Sequence, residues 1–259
     1  KEGLVKYFPV GVVAGIAPFN FPLNLAVHKI APAIAAGCPI ILKPSGTTPL
    51  STLMLAQIID RTALPKGAVS ILPMSRQTGN RLVTDDRISL LSFTGSPEVG
   101  WKMKRDAGRK KVVLELGGNA GVIISHGADL DAAVAKCVVG GFSYSGQVCI
   151  HTQRIYIVQD IFEAFAQKFV DKVLQLKSGN PLDPQTDIGV MIDETNAMRV
   201  ESWVSEAVNG GARLFAGGKR EGSFMQPTVL TGTLEEMQVC SSEVFGPVVV
   251  IEPVATFAE

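Results

Sequence analysis

Residues 143–157, SYSGQVCIHTQRIYI, place one cysteine between a small, polar, glycine-containing stretch and an apolar run patterned like a strand. A cysteine used for packing lies inside an apolar run, where it behaves as a small hydrophobe. Cys149 instead follows Gly146 and Gln147 in a segment suited to a loop, where a thiol can be reached and can act as a nucleophile, although an inert, partly buried thiol also fits there. Glu115 interrupts the apolar run of LELGG (114–118) ahead of two glycines, a setting in which a desolvated carboxylate suits a general base, although a salt-bridged structural Glu fits there as well. A second acid, Glu243, stands beside Phe245 and a turn in EVFGP (243–247). Asn20, in APFNFP (17–22), has a carboxamide N–H able to donate to a developing oxyanion, although an Asn there also closes turns. Lys43, in LKPSGTTP (42–49), could hydrogen-bond ribose or phosphate oxygens or simply snorkel at the surface. In FTGSPEVG (93–100), Ser96 suits an N-cap and Pro97 the first helical position. That arrangement turns free backbone N–H groups outward, toward a pyrophosphate. Each signal is weak by itself.

The elements that must carry these residues alternate in the first half. Apolar strands are expected over 10–18, 39–43, 68–73, 88–93 and 110–116, with helices over 22–37, 48–61 and 96–108 and a short one between the third and fourth strands. Pro32 is a defect that should kink the first helix. Apolar strands alternating with helices predict an α/β fold with a parallel sheet covered on both faces, and such sheets gather ligands at the carboxyl ends of their strands. After GGN (117–119) the pattern restarts. Strands are expected over 121–125 and 154–159, helices over 129–142, 160–177 and 193–211, and short strands around 227–230 and 247–253. The boundary falls near Gly117–Gly118, dividing residues 1–117 from 118–259. The chain opens directly on a strand and stops at ATFAE (255–259), which reads as a helix just starting.

Composition narrows the classes. With 46% hydrophobic and 19% charged residues, 259 residues can bury a sizeable core. Twenty-four basic residues balance twenty-four acidic ones, so no global field favours nucleic acid or an anionic membrane. Cys38, Cys137, Cys149 and Cys240 show no CxxC or CxxH spacing, which argues against a zinc site or a disulfide scaffold. No apolar run reaches membrane-spanning length and no signal peptide opens the chain, so the expectation is a cytoplasmic protein with reduced thiols and no metal.

In their order along the chain, PVGVVAGIAPFNFPLN, AAGCPIILKPS, SFTGSPEVG, LELGGN, SGQVC and EVFGPV resemble the aldehyde dehydrogenase superfamily, as does the 34-residue separation of Glu115 and Cys149. The resemblance covers essentially the whole chain. It implies a Rossmann-like coenzyme domain over 1–117 followed by an α/β catalytic domain over 118–259. The implied activity is oxidation of a small-molecule aldehyde to a carboxylic acid with NAD or NADP. Cys149 then matches the nucleophile, Glu115 the general base and Asn20 the side-chain half of the oxyanion hole. Lys43 matches the ribose-contacting lysine, and Gly95 and Ser96 the pyrophosphate turn. Glu243 matches the position that holds the nicotinamide ribose, and Phe245 the one that packs by the nicotinamide ring. Cys38, Cys137 and Cys240 match no functional position and are assigned to the core; His28, His126 and His151 receive no role.

Two departures follow. Members that favour NAD often carry Glu three residues after the lysine, where this chain has Gly46; the absence of a carboxylate removes an obstacle to a 2′-phosphate. Family chains are also roughly twice this long, so the expectation is a central fragment of a homo-oligomer, lacking substrate-funnel and oligomerising elements. The competing readings are a coenzyme A-acylating semialdehyde dehydrogenase, which generally lacks the base glutamate, and an inactive folding or interaction unit.

Overall fold

The computed structural model describes residues 2–256, so the last three residues of the helix start expected over 255–259 lie outside the described residues. The chain divides into two compact units, Lys1–Gly117 and Gly118–Glu259.

In the first unit the elements run β1 (Val12–Ile16), α1 (Asn24–Ala35), β2 (Ile40–Lys43), α2 (Leu50–Asp60), β3 (Val69–Ile71), α3 (Arg76–Thr84), β4 (Ile88–Gly95), α4 (Pro97–Asp106) and β5 (Lys111–Leu116). The sheet order is β3-β2-β1-β4-β5, and every neighbouring pair is parallel. Two apolar clusters lie on its faces. One joins Val13, Ile40 and Leu42 to Ala26, Ile30 and Ala33 of α1; the other joins Ala14, Leu91 and Phe93 to Leu82 and Val83 of α3. This is the two-faced parallel sheet expected from the alternation. Burial is less complete at its edges than the apolar runs suggest. Side chains of β5 alternate between exposed and half-buried, and β3 is half-buried throughout, because each has a strand neighbour on one side only. Helix α1 continues through Pro32 to Ala35, one turn from its end.

In the second unit the order is β6 (Gly121–Ile124), α5 (Leu130–Phe142), β7 (Arg154–Val158), α6 (Gln159–Leu174), α7 (Glu194–Asn209), β8 (Arg213–Ala216), β9 (Arg220–Glu221), β10 (Phe224–Met225), β11 (Thr228–Thr231), α8 (Gln238–Ser241) and β12 (Val248–Val254). The main sheet, β6-β7-β12-β11-β8, is parallel except for β8, which runs antiparallel to β11. Asp129 caps α5 by accepting from the amides of Asp131 and Ala132, and Asp193 caps α7 by accepting from Asn196 at 2.7 Å. Phe142, Phe165 and Phe169 are fully buried, with the last two rings stacked at 5.6 Å. Each such side chain contributes about 1.5–3 kcal/mol on burial. Because Phe142 is also the last residue of α5, its burial anchors the chain immediately before the segment that carries Cys149.

Candidate functional site

Parallel strands in near register end together. In the first unit Ile16 of β1 stands beside Lys43 of β2 and Phe93 of β4, and Thr94 of β4 stands beside Glu115 of β5. Asn20, Lys43, Gly95, Ser96 and Glu115 therefore all belong to the carboxyl edge of one sheet, where open α/β sheets receive ligands. The Asn20 loop is pinned from α2 and its approach: the Thr48 hydroxyl donates to the Phe19 carbonyl at 3.1 Å and the Thr52 hydroxyl to that of Pro22 at 3.0 Å. Lys43 lies across α3, where a Cβ on Gly79 would stand 2.8 Å from its Cδ. Partial burial, with the nearby Arg76 guanidinium, pulls the Lys43 pKa below the ordinary lysine value. Gly46 is exposed, and a Cβ placed on it would meet nothing within 4 Å, so space is open there.

Ser96 occupies the N-cap position of α4 and Pro97 its first turn, yet the Ser96 side chain makes no capping bond. In α3, by contrast, the Ser75 hydroxyl takes the Thr78 amide at 3.0 Å. The first turn of α4 is left without that internal acceptor, and glycine at 100 allows close helix–sheet packing, since a Cβ there would stand 2.4 Å from Leu116. Glu115 is exposed on the edge strand, so the desolvation expected of it is not supplied by its own sheet.

Lys29 belongs to none of the motifs quoted above. It is 5% exposed, donates to the Thr94 hydroxyl at 2.6 Å, and has its pKa lowered to about 8 by burial, with the Glu115 carboxylate opposing the shift. The sequence carried a signal: a lysine on the same helix stripe as Ala26, Ile30 and Ala33.

In the second unit Cys149 is exposed, in a turn after a short 3-10 segment, Ser143–Gly146. The other three cysteines, assigned to the core, are buried. Tyr144 and Ser145 have φ of 54° and 55°, and Gly146 follows at 67°. Side-chain residues in this left-handed region cost of order 1–3 kcal/mol each and persist only when neighbours hold them. Here the Ser145 hydroxyl donates to the Gly189 carbonyl at 2.9 Å, and the Gln147 side chain accepts from the Ile192 amide at 2.9 Å. Gly146 sits so close to the 243–247 loop that a Cβ on it would lie 2.0 Å from the Gly246 carbonyl oxygen. That contact brings the cysteine segment and the Glu243–Phe245 segment together.

The Glu243 carboxylate accepts from the Gly118 amide at 3.2 Å. Burial raises its pKa, while that hydrogen bond and Arg199 act against the rise. Arg199 stacks on Trp203 at 4.7 Å and donates to the Val244 carbonyl at 2.8 Å. Phe245 has φ of 47°, a further left-handed side-chain residue in this loop. His151, two residues after the nucleophile candidate, is buried and donates from Nε2 to the Gly141 carbonyl at 2.8 Å; burial pulls its pKa to about 4, so it is a neutral packing group. Among the described residues, no group of three or more His, Cys, Asp or Glu could hold a metal ion, and no helix is long and apolar enough to cross a membrane.

A model of the aldehyde dehydrogenase family matches residues 1–259. Among curated relatives, the 3-sulfolactaldehyde dehydrogenase of Priestia aryabhattai is 47% identical over 244 residues, covering 94% of this chain and 51% of that protein. Among solved structures, glyceraldehyde-3-phosphate dehydrogenase from Methanocaldococcus jannaschii complexed with NADP is 40% identical. It aligns with a TM-score of 0.95 over 98% of this chain and 56% of that chain. Betaine aldehyde dehydrogenase from Staphylococcus aureus in complex with NAD+ is 36% identical, with a TM-score of 0.92 over 96% of this chain and 51% of that chain. The chain spans about half the length of the curated relatives it matches.

Proposed function

This chain belongs to the aldehyde dehydrogenase family, and we propose that it oxidises a small-molecule aldehyde to a carboxylic acid with NAD or NADP. The observation that carries the reading is the exposed Cys149 thiol, presented on a strained loop that packs against the loop of Glu243 and Phe245. In this reading residues 1–117 form the coenzyme-binding domain and 118–259 the catalytic domain, within a cytoplasmic homo-oligomer.

The Cys149 thiolate adds to the aldehyde carbon, and the oxyanion that forms is held by the Asn20 carboxamide and the Cys149 backbone N–H. Collapse of this adduct expels hydride and leaves a thioester on Cys149. Glu115 then takes a proton from water, which attacks the thioester carbonyl and releases the acid and the thiolate.

The residues at the first sheet's carboxyl edge fit a dinucleotide. Lys43 lies over a glycine that leaves room for it, Gly46 leaves open space for a ribose substituent, and the first turn of α4 offers backbone N–H groups to a pyrophosphate. When bound, the nicotinamide supplies the hydride acceptor. Glu243 would hold the nicotinamide ribose through its hydroxyls, and Phe245 would lie by the nicotinamide ring.

The test is reduction of NAD and NADP with a panel of aldehydes by the protein carrying this sequence. Turnover that depends on both aldehyde and Cys149 supports the reading. Turnover unchanged in Cys149→Ala, or none with any aldehyde, opposes it.

A further inference from the structure

Gln153 is a polar side chain 1% exposed at the entry to an apolar strand, four residues after Cys149. A buried carboxamide is costly unless its hydrogen-bonding groups are met. Gln153 meets them mainly on the 239–244 segment, with a side-chain contact to His151 besides. Its Nε2 donates to the Val239 carbonyl at 2.9 Å and to the Ser242 carbonyl at 2.8 Å, and its Oε1 accepts from the Val244 amide at 2.8 Å. Ser242 and Val244 are the two neighbours of Glu243. One side chain thus grips the backbone on both sides of that carboxylate.

The next residue works on the other side of the same carboxylate. Arg154 donates from Nε to the Asn119 side-chain oxygen at 3.0 Å and from its guanidinium to the Asn119 carbonyl. Asn119 in turn donates through Nδ2 to the carbonyls of Cys240 and Ser242. It follows Gly118, whose amide donates to Glu243. The backbone of Gln153 is itself tied to the sheet, its carbonyl accepting from Val250 at 2.8 Å. The base of these contacts is β7, paired with β6 and β12 on its two sides, which leads directly out of the cysteine segment.

We propose that Gln153 is a positioning residue that sets the Glu243 carboxylate relative to the cysteine segment, and so governs hydride transfer without touching substrate or cofactor. The proposal rests on the assignment of Glu243 to the nicotinamide ribose. A residue that merely stabilised the fold would affect every reaction of the site alike. A residue acting through Glu243 would affect only those that need the nicotinamide held.

The experiment uses the protein carrying this sequence, with Gln153→Met, which keeps length and removes all three bonds. Two reactions are compared: single-turnover reduction of the cofactor by an aldehyde, and cofactor-free hydrolysis of p-nitrophenyl acetate. In the latter the thiolate expels p-nitrophenolate and water then clears the acetyl thioester, with no oxidation. The expected result is at least a ~10-fold slowing of cofactor reduction, with ester hydrolysis within about twofold of wild type. In the background of Glu243→Gln, adding Gln153→Met should slow cofactor reduction no further, because the group it positions is gone. Should Gln153→Met not fold, Gln153→Glu enters the same cycle; it keeps the bond to Val244 and turns a carboxylate oxygen on the two carbonyls.

Equal loss of both reactions, unchanged cofactor reduction, or full additivity with Glu243→Gln would each overturn the proposal while leaving the Glu243 assignment intact. Normal cofactor reduction in Glu243→Gln alone would overturn that assignment, and the role of Gln153 with it.

Discussion

Substituting Gly146 by alanine is the sharpest single perturbation of the cysteine segment. Its φ of 67° is left-handed, a conformation that costs an L-residue roughly 1–2 kcal/mol. The added Cβ would also stand 2.0 Å from the Gly246 oxygen, 2.4 Å from its carbonyl carbon and 2.8 Å from the Pro247 nitrogen. These are backbone atoms, so no side chain can swing away; one loop must retreat by more than an ångström. Overpacking of that kind costs typically about 1–3 kcal/mol. The two contributions together give about 2–5 kcal/mol, or a melting-temperature drop of roughly 4–20 °C at about 2–4 °C per kcal/mol. Because the retreat separates Cys149 from the Glu243 loop, turnover should fall by more than the stability loss alone explains, even at temperatures where the variant is fully folded. Gly46→Ala is the control: with no atom within 4 Å and no left-handed φ, it should shift stability by less than about 0.5 kcal/mol. Thermal unfolding of both variants, with steady-state rates measured well below the transition, decides it. A Gly146→Ala protein that melts with the wild type and retains its rate would refute the close packing of the two loops.

His151, held neutral by burial with its pKa near 4 rather than 6.5, should make stability present in full above pH 6.5 drain away as pH falls toward 4. The unfolded chain binds the proton first, and the loss is worth about 3 kcal/mol. His151→Gln should flatten that segment of a pH–stability curve from denaturant titration, and an unaltered slope would contradict the assignment. Lys29→Met should leave neutral-pH stability unchanged or raised by up to ~3 kcal/mol, since it removes a buried cation. It should also abolish the rise in stability from pH 8 to 10.5 that a lysine with its pKa lowered to about 8 produces. A loss of several kcal/mol would show that its bond to Thr94 outweighs its desolvation. Gly46→Glu, entering open space, should shift the ratio of NADP to NAD efficiency toward NAD by on the order of 1–3 kcal/mol. An unmoved ratio would place Gly46 away from the ribose.

The alternating half of the fold was legible because parallel strands buried on both faces read as short apolar runs between amphipathic helices. The ends of β2 and β4 were legible too, since Lys43 and Gly95–Ser96 break those runs where the strands stop. Less could be read from KKVVLEL (110–116). Its apolar residues suggest burial, yet β5 is an edge strand and Glu115 is exposed, because sheet order is not written in a strand's own composition. Strand β8 and the β9–β10 hairpin were not legible; at four and two residues each, they are too short to show a period. Cys149, Glu243 and Phe245 were each weak signals in local context, and their proposed roles came from the order of motifs along the chain. What holds them was not legible. The Gly146–Gly246 contact and the three bonds of Gln153 join segments some 90 to 100 positions apart, and a glutamine at the head of an apolar strand gives no local hint of its partners. Lys29 was different in kind, since a lysine on a buried helix stripe is visible in the sequence alone.

The central claim is that Cys149 carries the acyl group and Glu115 directs water to it. Glu115→Gln keeps shape and hydrogen bonding but removes the base, so oxidation should proceed once and hydrolysis stall. The direct measurement is rapid mixing of this variant with aldehyde and oxidised cofactor, followed by peptide mass spectrometry of the quenched protein. The account predicts a burst of about one equivalent of reduced cofactor per site and an acyl group on the peptide containing Cys149. Steady turnover equal to wild type with no burst, or an acyl group on any other residue, would contradict it.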